Sequence, residues 1–440
     1  MFSPSPSNAH ATDPASSGAP AFEDLAQRCL DKCEILSRQS EWKDGILRQY
    51  LSLPMKAVHD LASGWMKELG LDVRVDDAGN LIGRRPAMAR DRTSGADKAP
   101  VLILGSHLDT VPGAGRYDGI LGFVMGVELM HALHDHPLPF HVDVVGFSEE
   151  EGVRFTQPYL GSHALTGTFD EKWLERRDAS GFAMASVIEG FGLTPARIAA
   201  AAYPSEEVLG FVEPHIEQGT VLAGNEAPLG VVQAIAGQTR SLVQFRGASA
   251  HAGTTPMMPR SDSLVAAAAW IGEVSKQGQA IAGCRATVGY ADVTPNVRNV
   301  IPERVTLSLD LRHIDDATRR QAVAKLYSIA EGIAKRDRVS FHVMEQQEQS
   351  GVAMDDCLRS QLLQSMQACG LPSQELISGA GHDAGIMATR FPAAVLFLRQ
   401  PRGISHHPDE DVEAVDVAHA LRVLHHFLMH VDRETGNRQP

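Results

Sequence analysis

At 440 residues the chain exceeds what one hydrophobic core usually supports, so two domains are expected, one of which can be inserted in the other. No apolar run approaches the roughly 20 residues that cross a bilayer, which excludes membrane spanning. A formal charge of -14, with no dense Lys/Arg stripe, argues against nucleic acid and requires that any anionic ligand meet a local positive site of metal ions or arginines.

Residues 1–21 are rich in Ser, Pro and Ala, lack a basic-plus-apolar signal pattern and read as a disordered tail. From Phe22 to Leu69 apolar positions recur at helical spacing, through Leu25, Cys29 and Ile35 and then Val58, Leu61 and Met66. Cys29 and Cys33 are the only close pair among five cysteines, and their i, i+4 spacing suits a helix face better than a disulfide; a reducing cytoplasm fits. Strands follow at residues 72–75, 81–84 and 101–105, then a helix over 122–133 and a buried-type strand over 141–147. Strands alternating with helices predict an α/β fold with a largely parallel sheet covered on both faces.

Composition shifts near Gly224. Residues 230–245, a helix over 262–276, strands around 284–293 and 304–312, a helix over 315–335 and a strand over 339–345 read as a compact βαββαβ module. The α/β rhythm then resumes with a helix over 357–369, a strand over 393–398 and a helix over 415–430. The predicted organisation is therefore one domain of residues 22–223 and 348–434, interrupted by a second of residues 224–347.

The chemistry gathers in four stretches. GSHLDTVP at 105–112, followed by GRYDG at 115–119, ends an apolar strand, where open α/β sheets place ligands. His107 can offer a neutral imidazole to a metal, Asp118 can bridge two metals, and Asp109 suits a supporting role that holds the imidazole tautomer. SEEEG at 148–152 crowds three carboxylates that need cations or water to coexist. EPHIEQG at 213–219 and GISHHPDE at 403–410 add His215, Gln218, His406 and His407. A lone histidine is more often a satisfied core or surface residue; four such stretches together are a metal-site pattern. The histidines at 131, 134, 136, 141, 425, 426 and 430 read as surface or packing residues.

The ordered blocks GSHLDTVP, GRYDGILG, SEEEGVRF, HIEQG, SAHAGTTPM, NVIP, DLR, SGAGHDA and GISHHPDE resemble the M20-type metal-dependent amidohydrolases. That family includes allantoate amidohydrolase, N-carbamoyl-L-amino-acid hydrolase and β-ureidopropionase. The resemblance implies two divalent ions, zinc or manganese. One would be held by His107, Asp118 and His215 and the other by Asp118, Glu151 and His406. It implies Glu150 as general base toward the attacking water, with Asp109 in support. His251 would steady developing negative charge, and Asn299 and Arg312 would hold a substrate carboxylate, with Gln218, Gly381 and His382 completing the pocket. It further implies a ferredoxin-like insert that acts as lid and dimerisation domain, a homodimer, and a small ureido carboxylate as substrate. The extra Glu149 and the doubled His406-His407 leave two registers open for base and ligand.

Overall fold

The computed structural model describes residues 21–88 and 99–431. Apart from Ala21, the expected tail lies outside these residues.

Four parallel strands form the middle of a nine-stranded sheet. Val101–His107 pairs on one side with His141–Phe147 and on the other with Val208–Ile216, which pairs in turn with Ala393–Leu398. Val101–His107 is buried at every position, as a run flanked by parallel partners and covered on both faces must be. Antiparallel pairing takes over toward the edges. Asp72–Val75 and Leu81–Arg85 are joined by a five-residue turn, too short for a parallel crossover, in which Asp76 Oδ1 accepts from the backbone N–H of Ala78 and Asn80. At the other edge Leu229–Ile235 runs antiparallel to Ala393–Leu398 and parallel to Glu375–Ser378. The fold is thus mixed α/β with a sheet that is parallel at its centre.

Helices Phe22–Ser37, Leu53–Glu68, Ile120–Ala132, Asp356–Ala368 and Ala414–His430 cover one face. Ile120–Ala132 is apolar all round rather than striped and is buried accordingly. Its one acid, Glu128, is matched by Arg28 at 2.9 Å and Lys32 at 2.7 Å from the first helix. A Cβ at Gly122 would fall on the Pro214 carbonyl, so this glycine sets how closely the helix approaches the sheet.

A second, five-stranded antiparallel sheet contains Gly237–Arg246, Arg304–His313 and Ser340–Gln349, with short strands Arg285–Thr287 and Ala291–Thr294. Helices Ser263–Ala280 and Asp316–Asp337 pack on one of its faces around Trp270. Arg304–His313 alternates half-buried and buried residues, which leaves the opposite face open.

The boundary expected at Gly224 needs correcting. The single strand expected over 230–245 is two strands, and Leu229–Ile235 belongs to the large sheet. The chain crosses between sheets at Ala236 and Gly237, where a Cβ on Gly237 would meet the Asp316 carboxylate and the Gly351 backbone. Outgoing and returning segments therefore lie side by side, and the second sheet's unit runs over residues 237–349.

Candidate functional site

The four central strands end on the same side of the sheet and each delivers one part of a cluster. His107 is the last residue of its strand, and the acidic turn follows Phe147. His215 lies one residue before the end of Val208–Ile216, and His406 sits in the loop after Leu398. Gly119, at φ +67°, brings Asp118 under the His107 ring, since a Cβ there would overlap the imidazole.

Two groups of potential ligands result, His107 with Asp118 and His215, and Asp118 with Glu151 and His406. His215 Nε2 lies 3.4 Å from His107 Nε2 and 3.4 Å from Asp118 Oδ1. His406 Nε2 lies 3.1 Å from Asp118 Oδ2 and 3.5 Å from Glu151 Oε1. Gln218 Nε2 is 3.1 Å from both Asp118 Oδ1 and His406 Nε2. His107 and Glu150 share a further group with Glu151, which places the expected base at the cluster.

Several observations fit this nest to metal cations. The Nδ1 atoms of His107 and His215 face the backbone carbonyls of Asp109 at 3.0 Å and Ile216 at 2.8 Å. Those contacts favour Nδ1–H tautomers, so two Nε2 lone pairs are aimed at each other, an arrangement that a cation between them makes favourable. Asp118 Oδ2 and Glu151 Oε1 are buried without an aligned donor. Burial, with Asp118 beside it, drives the Glu151 carboxyl well above its usual range, and burial with Glu151 and Asp383 does the same to Glu150. Burial opposes ionisation of Asp118 too, yet the imidazoles of His406, His215 and His107 hold it well below the carboxylate norm. Burial pushes His215 down to about 4, while the Asp118 carboxylate lifts His406 to about 9.

The neighbours of these ligands divide the work. Asp109 Oδ1 and Oδ2 accept from the backbone N–H of Glu150 and Glu151, each at 3.0 Å, so its carboxylate clamps the acidic turn. Its backbone carbonyl, rather than the carboxylate, meets the His107 ring. Glu149, at φ +51°, turns away from the cluster and accepts from Arg154 N at 2.8 Å; burial raises it to about 8. His407 is exposed and accepts from Asp409 N. The two open registers thus come down on Glu150, Glu151 and His406 as the residues at the cluster.

Other expected residues stand apart. His251 and Asn299 adjoin one another on the two-stranded ribbon Ala250–His251 with Val300–Ile301, where His251 Nδ1 accepts from Gly253 and Thr254 and Asn299 O accepts from Ala252 N. Arg312, on the open face of the second sheet, has its fork on Asp310 at 2.8 and 2.9 Å and donates to Gly379 O at 2.7 Å. It lines a cavity of about 640 Å³ together with Arg240 and Arg285. His382 is packed edge-on against His215 and Phe397, with Nε2 at 2.9 Å from Ser378 Oγ, behind the cluster rather than on an open wall.

The model of peptidase family M20/M25/M40 matches residues 103–430, three quarters of the chain. The chain belongs to this family. A relative in Geobacillus stearothermophilus, an N-carbamoyl-L-amino acid amidohydrolase, is 36% identical over 92% of this chain and 97% of its own length. The allantoate deiminase of Arabidopsis thaliana is 34% identical over 92% of this chain and 82% of its own. The crystal structure of an amidase of the hydantoinase/carbamoylase family from Burkholderia multivorans superposes with a TM-score of 0.83 at 33% identity, covering 92% of this chain and 97% of that one.

Within this M20 chain, sequence reasoning passed over three supporting residues. Glu410 Oε1 accepts from the N–H of Tyr117 at 2.8 Å and of Asp118 at 3.0 Å, which pins the loop that carries Asp118; Gly115 leaves it room. Arg48, buried, donates from Nε to the Leu108 carbonyl at 2.7 Å and so braces the loop between His107 and Asp109. Glu213 joins His215 and His382 in a fourth acid-imidazole group. Glu410 lies inside the GISHHPDE block and could have been found there; nothing local marks Arg48.

Proposed function

We propose that the chain hydrolyses the ureido C–N bond of a small carboxylate, with allantoate as first candidate, releasing ammonia and carbon dioxide through breakdown of carbamate. The observation that carries this reading is the convergence of His107, Asp118, Glu151, His215 and His406 around facing lone pairs with Glu150 alongside. Relatives named for allantoate and N-carbamoyl-L-amino acids support the substrate class. An N-carbamoyl-L-amino acid is the second reading, favoured by a relative of that name that aligns over 97% of its length.

In this reading two divalent ions, zinc or manganese, are held by His107, Asp118 and His215 and by Asp118, Glu151 and His406. When bound they supply Lewis acidity and lower the pKa of water. Glu150 takes the proton of the attacking water on its carboxylate and hands it to the leaving ureido nitrogen. Asp109 keeps Glu150 and Glu151 in place through their backbone N–H groups, and Gln218 orients Asp118 and His406. Arg312 receives the substrate carboxylate in place of Asp310, a guanidinium fork being suited to planar anions. Asn299 assists it, Gly381 shapes the floor of the pocket, His382 backs His215 from behind the cluster, and His251 steadies negative charge on the reacting oxygen.

The unit over 237–349 is read as a ferredoxin-like lid that pairs with a second copy to give a homodimer. Ser340–Gln349 is an edge strand with exposed Val343 and Met344, and Leu264, Val265 and Ile271 stand exposed on helix Ser263–Ala280, which supports such pairing. A cytoplasmic setting matches the five free cysteines. No helix of the described residues is long and apolar enough to cross a membrane.

Ammonia release tests the function, measured on allantoate, N-carbamoyl-β-alanine and N-carbamoyl-L-amino acids after chelation and re-addition of manganese or zinc. Metal-dependent release is expected. Dipeptide cleavage with no ureido substrate turned over would overturn the reading in favour of a peptidase.

A further inference from the structure

Tyr159 takes no part in the chemistry above, yet its placement is unusual. It adopts φ 63° and ψ 29°, a left-handed conformation uncommon for a bulky residue, immediately before the helix Leu160–Thr166. Such an outlier at the edge of a reactive cluster points to a constraint worth explaining. The constraint is visible on both sides. The following residues tie back to the acidic turn, with Gly161 N donating to Ser148 O at 3.0 Å and Leu160 N to Glu149 O at 3.3 Å. The phenol then extends over the loop of residues 379–382, so close that a Cβ on Gly381 would collide with its hydroxyl. That same loop offers the Gly379 carbonyl to Arg312.

After burial itself, the charges of Glu150, Asp383, Glu151 and Arg240 act on the phenol, and Arg312 feels the phenol in turn. Burial keeps the hydroxyl protonated, hence a donor as well as an acceptor. Among the described residues this hydroxyl makes no hydrogen bond, and the side chain is half-buried rather than sealed off. Tyr159 thus links the two ends of the pocket: its neighbours are fastened to the acidic turn, where the ureido group would react, and its hydroxyl abuts the loop that bonds Arg312, where the carboxylate would sit.

We propose that the Tyr159 hydroxyl is a specificity-determining group that reads the substituent on the carbon between ureido and carboxylate, favouring substrates with a hydrogen-bonding group there over those with an apolar one. This rests on the ureido-carboxylate reading. A compound stretched between the cluster and Arg312 presents only its middle carbon to the phenol. In allantoate that carbon carries a second ureido group, able to donate and accept; in N-carbamoyl-L-leucine it carries an alkyl group that would leave the phenol unpaired, a costly outcome in a desolvated site.

The test compares the wild-type enzyme with Tyr159→Phe, which removes one oxygen and keeps the ring. Steady-state kinetics are run on allantoate and N-carbamoyl-L-leucine, and on the near-isosteric pair N-carbamoyl-L-threonine and N-carbamoyl-L-valine. The wild type should prefer the threonine derivative to the valine one. Tyr159→Phe should lower kcat/KM about three- to tenfold for allantoate and the threonine derivative, the worth of one neutral hydrogen bond. The leucine and valine derivatives should stay within about twofold, with metal content unchanged. Equal losses on all four, or none, would show that the phenol only packs, while ureido hydrolysis itself would stand. Should the variant fail to fold, the wild-type threonine-to-valine preference still decides, because a ratio at or below one refutes the proposal. No release from any ureido acid by the metal-loaded wild type would remove the parent reading, and this one with it.

Discussion

The two halves of the proposed pocket are built on opposite principles. The acid-imidazole cluster lies at the ends of strands buried on both faces, and His107, Asp118, Glu150 and His215 are themselves buried. Two of its loops are pinned by a second residue, Asp109 holding the acidic turn and Glu410 holding Asp118. The carboxylate-binding half lies on the open face of a one-sided sheet, where Arg312 rests on Asp310 and where His251 and Asn299 sit exposed on a two-stranded ribbon. A preformed charge trap needs rigidity before the ligand arrives. A surface that recognises and releases substrate can be assembled later, by movement or by a second chain.

If that contrast is right, damage to the first half should be severe and should show in turnover or metal content, and damage to the second should be milder and follow substrate binding, except at His251, whose proposed place on the reacting oxygen makes its loss severe. Asp118→Asn should have the largest effect. It removes the carboxylate common to both ligand groups, and loss of several kcal/mol of charge stabilisation corresponds to a fall of about 10³-fold or more in kcat, with metal per chain dropping in elemental analysis. Glu150→Gln should lower kcat by roughly 10²- to 10⁴-fold, the usual worth of a general base, while metal content stays near normal. Loss of a metal in that variant would reassign Glu150 as a ligand.

Asp109→Asn comes next. An amide keeps one acceptor where the carboxylate presents two, so either Glu150 N or Glu151 N loses its partner. Metal affinity should weaken about 10- to 100-fold, read by competition with a chelator. An unchanged affinity would mean that the acidic turn holds its shape unaided. Arg312→Ala should leave metal content untouched and raise KM roughly tenfold or more through loss of bidentate pairing, which separates recognition from chemistry.

The same contrast explains what could be read in the sequence. The five expected ligands fall together because each belongs to a short block at the end of a strand, where local pattern and site coincide. The strand Val208–Ile216 was harder to see: Glu213, Pro214 and His215 interrupt its apolar run, and proline argues against a central strand unless the tertiary context is known. The break at Gly237 was invisible for a similar reason, since Leu229–Ile235 and Gly237–Arg246 read as one extended stretch and only their partners in space assign them to different sheets. Spacing places Asp109 near the His107 ring but cannot tell a side-chain oxygen from the residue's own carbonyl, and it is the carbonyl that faces Nδ1 while the carboxylate holds the acidic turn. Arg48 and Tyr159 act through contacts far along the chain, with Leu108 and with the loop at 379–382, and no local pattern announces them.

The mildest prediction bears on whether the open half is completed by another copy. Suppose that His251 reaches the cluster of its partner rather than its own. Glu150→Gln chains then lack the base but carry a sound His251, and His251→Ala chains carry the reverse. Each variant alone is inactive under this scheme. Unfolded together and refolded at equal amounts, half of the dimers would be mixed, and each mixed dimer would hold one site with both groups intact. Activity should therefore return to about a quarter of wild type, against background for either parent refolded alone. If His251 serves the cluster of its own chain, no mixed dimer gains an intact site and the refolded mixture stays at background. Recovery near a quarter would place the boundary between the rigid and the adaptable half of the pocket at a subunit interface, with the exposed edge of Ser340–Gln349 and the exposed apolar residues of Ser263–Ala280 as the surfaces proposed to meet there.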